Sequence, residues 1–159
     1  MTTAIYPGRF DPVTLGHLDI IRRASQLFDR LVVSVFEAPE ASTLFNNQER
    51  QDLIKEVTKD LKGVEVASFS GLVVDYAKAT GAQTIVRGLR MNTDFEYEFE
   101  MALMNRKLSP DIDVVCLMTS LEYLYVRASL LKEVARLGGE LSGLAPSNVI
   151  AALKQRYGN

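Results

Sequence analysis

The chain of 159 residues has no tryptophan, one cysteine and one histidine, and 18 basic against 20 acidic side chains leave a formal net charge of only -2. Each scarcity removes a class of protein. A single thiol, Cys116, cannot close an internal disulfide; it lies in the apolar run Val114 to Met118 without partners for a metal, and the expectation is a buried structural thiol. Mixed, balanced charge gives no sustained positive field, so nucleic acid is not an expected partner. No apolar stretch approaches the roughly 20 residues that cross a bilayer, and a strand-like run begins almost at Met1, where a leader would carry basic and then apolar residues. The expectation is a cytoplasmic protein with no membrane attachment.

A composition of 47% hydrophobic and 24% charged residues suits an ordinary globular chain, and the length suits one domain over residues 1–159 with no stapling by disulfide or metal. Short β-branched runs predict strands at Ala4 to Tyr6, Leu31 to Phe36, Val64 to Ala67, Thr84 to Val86 and Val114 to Met118. Helical periodicity predicts a first helix near Gly16, capped by Thr14, with Leu18, Ile21, Ala24 and Leu27/Phe28 along its apolar face. Further helices are predicted at Asn47 to Leu61, Leu72 to Ala79 and Asp94 to Leu108, the last with Phe95, Phe99, Ala102 and Leu103 on one side, and three helical segments follow the final strand. Buried strands alternating with helices imply a doubly wound five-stranded parallel α/β sheet, Rossmann-like, with helices covering both faces. Ligands in such sheets bind beyond the carboxyl ends of the strands, where the strand order reverses.

Two junctions there carry chemistry. After the first strand, Tyr6 to His17 crowds two prolines, two glycines and the only histidine into a strand-to-helix turn. Gly8 and Gly16 let a ligand approach the backbone, and the helix start offers N–H groups and a positive dipole end to phosphate. His17 at that end can donate a hydrogen bond to a phosphate oxygen as charge builds in a transition state. After the fourth strand, Val86-Arg87-Gly88-Leu89-Arg90 sets two guanidiniums around a glycine, a fork suited to phosphate oxygens, or to ion pairing with Asp94 or Glu96. The acidic stretch Asp94 to Glu100 reads by itself as mostly a solvated helix face. Later, Glu122 to Ser129 leads into an amphipathic segment for which Ser129 is the natural N-cap.

The string Thr14-Leu15-Gly16-His17 matches the (H/T)xGH signature of the nucleotidylyltransferases. Tyr6-Pro7-Gly8, Phe10-Asp11-Pro12 and the block from Arg87-Gly88-Leu89-Arg90 to Asp94-Phe95-Glu96-Tyr97-Glu98 resemble the phosphopantetheine adenylyltransferases, over nearly the whole chain. The resemblance implies transfer of AMP from Mg-ATP to 4'-phosphopantetheine, giving dephospho-coenzyme A and pyrophosphate. It also implies a homohexamer, Mg²⁺ arriving with ATP, and coenzyme A as a feedback ligand. By the same resemblance His17 acts in catalysis, and Arg9, which departs from the family's pattern, is expected to act beside it. ATP is held by Arg9, Phe10, His17, Gly88, Leu89, Arg90, Glu98 and the segment Tyr123, Leu124, Tyr125, Val126, Arg127, Ala128, Ser129. The acceptor is held by Arg9, Ala41, Leu72, Val73, Arg87 and Asn105.

The pattern is broken at three places: Arg9 stands where the family usually has threonine, Ala41 where a substrate-binding lysine is usual, and Arg127-Ala128 where two serines are usual. Two guanidiniums are gained in the same loops, so positive charge is relocated rather than lost. Two other readings stand beside the first: a related nucleotidylyltransferase acting on nicotinamide mononucleotide or a sugar-alcohol phosphate, and a nucleotide-binding regulatory module without turnover.

Overall fold

The computed structural model describes residues 1–159 apart from the side chains at positions 92 and 93. All five expected strands form, each a little longer than the β-branched run that signalled it: β1 (Thr3–Gly8), β2 (Arg30–Phe36), β3 (Val64–Phe69), β4 (Thr84–Leu89) and β5 (Asp113–Met118). Between and after them lie α1 (Leu15–Leu27), α2 (Asn47–Thr58), α3 (Val73–Thr80), α4 (Asn92–Leu108), α5 (Ala128–Arg136) and α6 (Ser147–Tyr157). The strands are parallel in the order β3-β2-β1-β4-β5, so the chain winds outward in one direction from β1 and then returns to start β4 on its other side. The order reverses at β1 and β4.

Pairing is uneven at that point. β1 and β2 stay in register from Thr3↔Arg30 to Gly8↔Val35, whereas β1 and β4 pair only at Ala4↔Thr84 and Ile5↔Ile85 before they part. The carboxyl halves of β1 and β4 thus border an open crevice. One backbone group left without a strand partner there is satisfied by a side chain, as Arg87 donates to the Pro7 carbonyl at 2.8 Å.

A larger core covers one face of the sheet, with Ile20, Ile21 and Ala24 of α1, Ile54 of α2, Leu131 of α5 and Val149 and Leu153 of α6 against Ala4, Leu31, Val33 and Val86. The apolar face predicted for α1 is correct at Leu18, Ile21 and Ala24, and Phe28 rather than Leu27 continues it. A smaller core on the opposite face joins Ile5, Val32 and Ile85 to Val74 and Ala77 of α3 and to Ile112. Among the described residues no helix is long and apolar enough to cross a membrane.

Three expectations are corrected. β5 is an edge strand with most of its side chains open, and Cys116 on it is exposed rather than buried. The sheet is therefore not covered on both faces along its full width. On α4 the stripe of Phe95, Phe99 and Leu103 faces outward, although its spacing is that of a core face. Periodicity reports that a side is apolar, not which molecule covers it. At α5 the N-cap position belongs to Arg127, with no side-chain cap, and Ser129 lies inside the first turn.

Candidate active site

The turn after β1 is built around local contacts. Phe10 takes a left-handed backbone with φ 48° and folds its ring back over Gly8, where an added Cβ would stand 3.0 Å from the ring. Part of the freedom expected of Gly8 thus serves the Phe10 ring. Thr14 caps α1 as expected, through its Oγ1 accepting from the His17 backbone at 3.3 Å. His17 returns the bond, because its Nδ1 accepts the Thr14 backbone N–H at 3.0 Å. Histidine thereby takes the place that glutamate or glutamine fills in an ordinary capping box. With Nδ1 accepting, the ring proton belongs on Nε2. Burial, aided by Arg90 and Arg87, lowers the His17 pKa to about 4, so the ring is a neutral donor near neutral pH.

Across the crevice, Arg87 is held by Glu98 of α4 in a two-pronged pair, Nε and Nη2 at 2.8 and 2.7 Å from the carboxylate oxygens. Arg90 bonds Asp94 through Nε at 3.2 Å and reaches the Val126 carbonyl at 3.4 Å. The acidic helix face is thus only partly solvated: Glu96 and Glu100 are open, but Glu98 is buried and Asp94 engaged. Arg9 differs from both. Its Nη2 bonds only the Ser42 carbonyl and Oγ, at 3.0 and 2.8 Å, so among the described residues it has no carboxylate partner.

Two cavities adjoin here. A polar one of about 220 Å³ is lined by Arg9, Phe10, His17, Gly88, Arg90 and Glu98, with Val126 at its edge. A more apolar one of about 620 Å³ is lined by Leu72, Val73, Met101, Met104, Leu108 and Asn105. Pro7, Gly8, Arg9, Arg87 and Glu98 belong to both and mark where they meet. Of the segment Tyr123 to Ser129 only Val126 reaches the polar cavity, and Leu89 borders neither. Ala41 and Ser129 line a separate shallow depression with Lys132 and Arg136.

Sequence reasoning missed the groups that fasten these loops together. The buried Asp11 carboxylate accepts from the Leu44 and Phe45 backbones at 2.9 Å each and pairs with Lys132 of α5 at 2.9 Å. Arg50, 0% exposed, donates from one Nη to the carbonyls of Arg9 and Phe36 at 2.7 and 2.9 Å. Arg50 stands among Gln48, Glu49, Gln51 and Asp52, so nothing local signalled its burial. Nor did anything local signal Lys132, which meets Asp11 across 121 positions.

A parallel α/β sheet whose switch-point crevice sets a histidine at a helix N-terminus among guanidiniums is the architecture of a nucleotidyl-transferring protein. Residues 5–139 match the family model described as cytidylyltransferase-like. The phosphopantetheine adenylyltransferase of Caldanaerobacter subterraneus subsp. tengcongensis is 53% identical over 99% of this chain and 98% of its own. That of Dehalococcoides mccartyi is 54% identical over 96% of each. Among solved structures, a putative nicotinate-nucleotide adenylyltransferase from Vibrio parahaemolyticus superposes with a TM-score of 0.70 at 18% identity, covering 98% of this chain and 93% of that one, a likeness of fold. The chain belongs to the cytidylyltransferase-like family and, within it, to the phosphopantetheine adenylyltransferases.

Proposed function

We propose that the chain transfers AMP from Mg-ATP to 4'-phosphopantetheine, releasing dephospho-coenzyme A and pyrophosphate. The observation that carries the reading is the pair of adjoining cavities, polar and apolar, that meet at Arg9, Arg87 and Glu98. Relatives more than half identical over nearly the full chain bear the name of this activity. A nucleotide phosphate suits the cavity of His17 and Arg90, and a pantetheine arm, apolar with two amides, suits the wall of Leu72, Val73 and Met104 with Asn105 for an amide.

An oxygen of the acceptor phosphate attacks the α-phosphorus of ATP in line. The new P–O bond forms as the bond to pyrophosphate breaks, and the electron pair leaves with pyrophosphate. The attacking oxygen is already anionic, so no general base is needed. His17 donates from Nε2 to the charge that gathers on the α-phosphate oxygens, Arg87 holds the acceptor phosphate, and Arg90 with Gly88 holds the nucleotide. A nucleotide longer than the polar cavity extends along the start of α5, where Tyr123 to Ser129 lie. Asp94 and Glu98 are each engaged by an arginine, and among the described residues no group of three or more potential ligands forms a metal cage. Mg²⁺ would arrive with the substrate, held by phosphate and water, where it would neutralise the triphosphate.

The cytoplasm is the location that fits these substrates. Coenzyme A, with the same arm, would compete as a feedback ligand for the apolar cavity. The open apolar side of α4 supports self-association, with the homohexamer as the form to test. Purified protein given Mg-ATP and a panel of phosphorylated acceptors, read by pyrophosphate release, tests the reaction. Release with 4'-phosphopantetheine alone is expected. Release with a different acceptor would reassign the substrate, and ATP binding with no release from any acceptor would mark a binding module.

A further inference from the structure

Tyr6 has no part in the chemistry above, yet it stands in the middle of it. Its side chain, on the part of β1 that has separated from β4, is 5% exposed and lines the polar cavity. The ring is edge-on to Phe10 at 5.3 Å, and Phe10 is edge-on to His17 at 5.0 Å, so packing fixes where the hydroxyl points. That oxygen lies 3.7 Å from the place a Gly88 Cβ would occupy, against the one bare position of the arginine fork.

Only burial and the charges of Arg87, Arg90, Glu98 and Asp19 act on the hydroxyl, and no hydrogen bond to a described residue reaches it. Burial raises its pKa far above the ordinary phenol range, so it stays an O–H donor wherever the protein is folded. The hydroxyl borders the open polar cavity rather than the sealed core, so solvent can serve it in the free protein, and phenylalanine would fill the same volume at little cost. With two guanidiniums close by, the acceptor that suits the position is an oxygen bearing negative charge.

We propose that the Tyr6 hydroxyl is a ligand-binding donor, completed only when an anionic oxygen of a phosphorylated ligand enters the polar cavity. The inference rests on the proposed function, under which that ligand is the nucleotide. Gly88 belongs to the same device: any side chain there would stand against Ile20 at 3.3 Å and in front of the hydroxyl.

The test is Tyr6→Phe, with melting of the free protein and calorimetric titration of Mg-ATP and of 4'-phosphopantetheine separately. The expected result is a free protein at least as stable as wild type, with nucleotide binding weakened about 10-fold and 4'-phosphopantetheine binding unchanged. Weakening confined to 4'-phosphopantetheine would keep the donor role and give the oxygen to the acceptor. Unchanged binding of both ligands would overturn the inference. So would a lower melting temperature without ligand, because the hydroxyl would then have a partner inside the protein. Wild type that binds neither ligand would overturn the proposed function and this inference together, a result distinct from wild-type binding that Tyr6→Phe leaves untouched.

Discussion

His17 both caps α1 and faces the polar cavity, and the two tasks use different nitrogens. Variants can therefore separate them. His17→Ala should lower turnover about 100-fold, and it should also cost about 1 kcal/mol of stability through the lost cap. His17→Glu restores the acceptor of an ordinary capping box without the Nε2 donor, so melting temperature should recover while turnover does not. Full turnover in either variant would leave His17 a purely structural residue. The pH dependence follows from the same geometry. A folded pKa of about 4 against 6.5 when free keeps the ring neutral well below pH 6.5, so kcat/KM should show no acid limb centred at 6.5. Stability behaves differently: the unfolded chain takes up the proton first, so this contribution is complete above 6.5 and is lost as pH falls toward 4. The acceptor's phosphate monoester takes up a proton at about pH 6 in any variant, so only a limb near 6.5 that His17→Gln removes would mean that the imidazolium is reached in the working enzyme. His17 was legible because its chemistry lies in consecutive residues. Tyr6, Asp11 and Lys132 were not, since a missing partner and a pair made across 121 positions leave no local trace.

At the scale of elements, the stretch from the end of β2 to the first turn of α2 is fastened to the first loop at three points: Ser42 to Arg9, the Leu44 and Phe45 backbones to Asp11, and Arg50, which also holds the Phe36 carbonyl, to the Arg9 carbonyl. Among the described residues Arg9 is the one cation of the two cavities bound only to neutral groups, and its anchor is the residue next to Ala41. Ala41 itself lines the separate depression, so a lysine there would have to reach across Ser42 to bring charge to the cavities that Arg9 lines. Arg9→Thr should raise KM for both substrates by about 10-fold or more, and Ala41→Lys added to it should recover much of the loss through non-additive coupling. Full activity in Arg9→Thr, or a double variant no better than the single one, would make Arg9 a surface residue. Strand and helix positions were legible to within a few residues because β-branched runs and capping signals are local. The cap of α5 was not: Ser129 has the right chemistry, but the turn from Leu121 to Tyr123 and the Val126 N–H bonding the Tyr123 carbonyl at 3.0 Å bring the chain into the helix two residues earlier.

At the scale of the whole molecule, one side is unfinished as a single-chain surface. Phe95, Phe99 and Leu103, four residues apart along α4, are 55%, 54% and 56% exposed, and the two phenylalanine rings stack on each other at 5.9 Å. Met118 at the end of the neighbouring edge strand β5 is open as well. The sequence pattern was that of a buried helix and an interior strand, which is the pattern a subunit interface leaves when only one subunit is considered. A stripe of large apolar side chains in water is stabilised by covering it, and a second copy presents the same stripe in self-complementary form. The purified protein should therefore sediment as a multiple of 17.7 kDa, the hexamer being the multiple implied by resemblance. Changing Phe99 and Leu103 together to glutamate sets like charges against each other across any such contact, and these side chains already face solvent in the isolated chain. Folding of one subunit should thus survive, with circular dichroism unchanged and the sedimenting species reduced toward 17.7 kDa. Glu98 and Asn105 point from the same helix into the site, so loss of the interface should also raise KM for the acceptor. Wild type that already sediments at 17.7 kDa, or a double variant of unaltered mass, would assign the stripe no part in assembly.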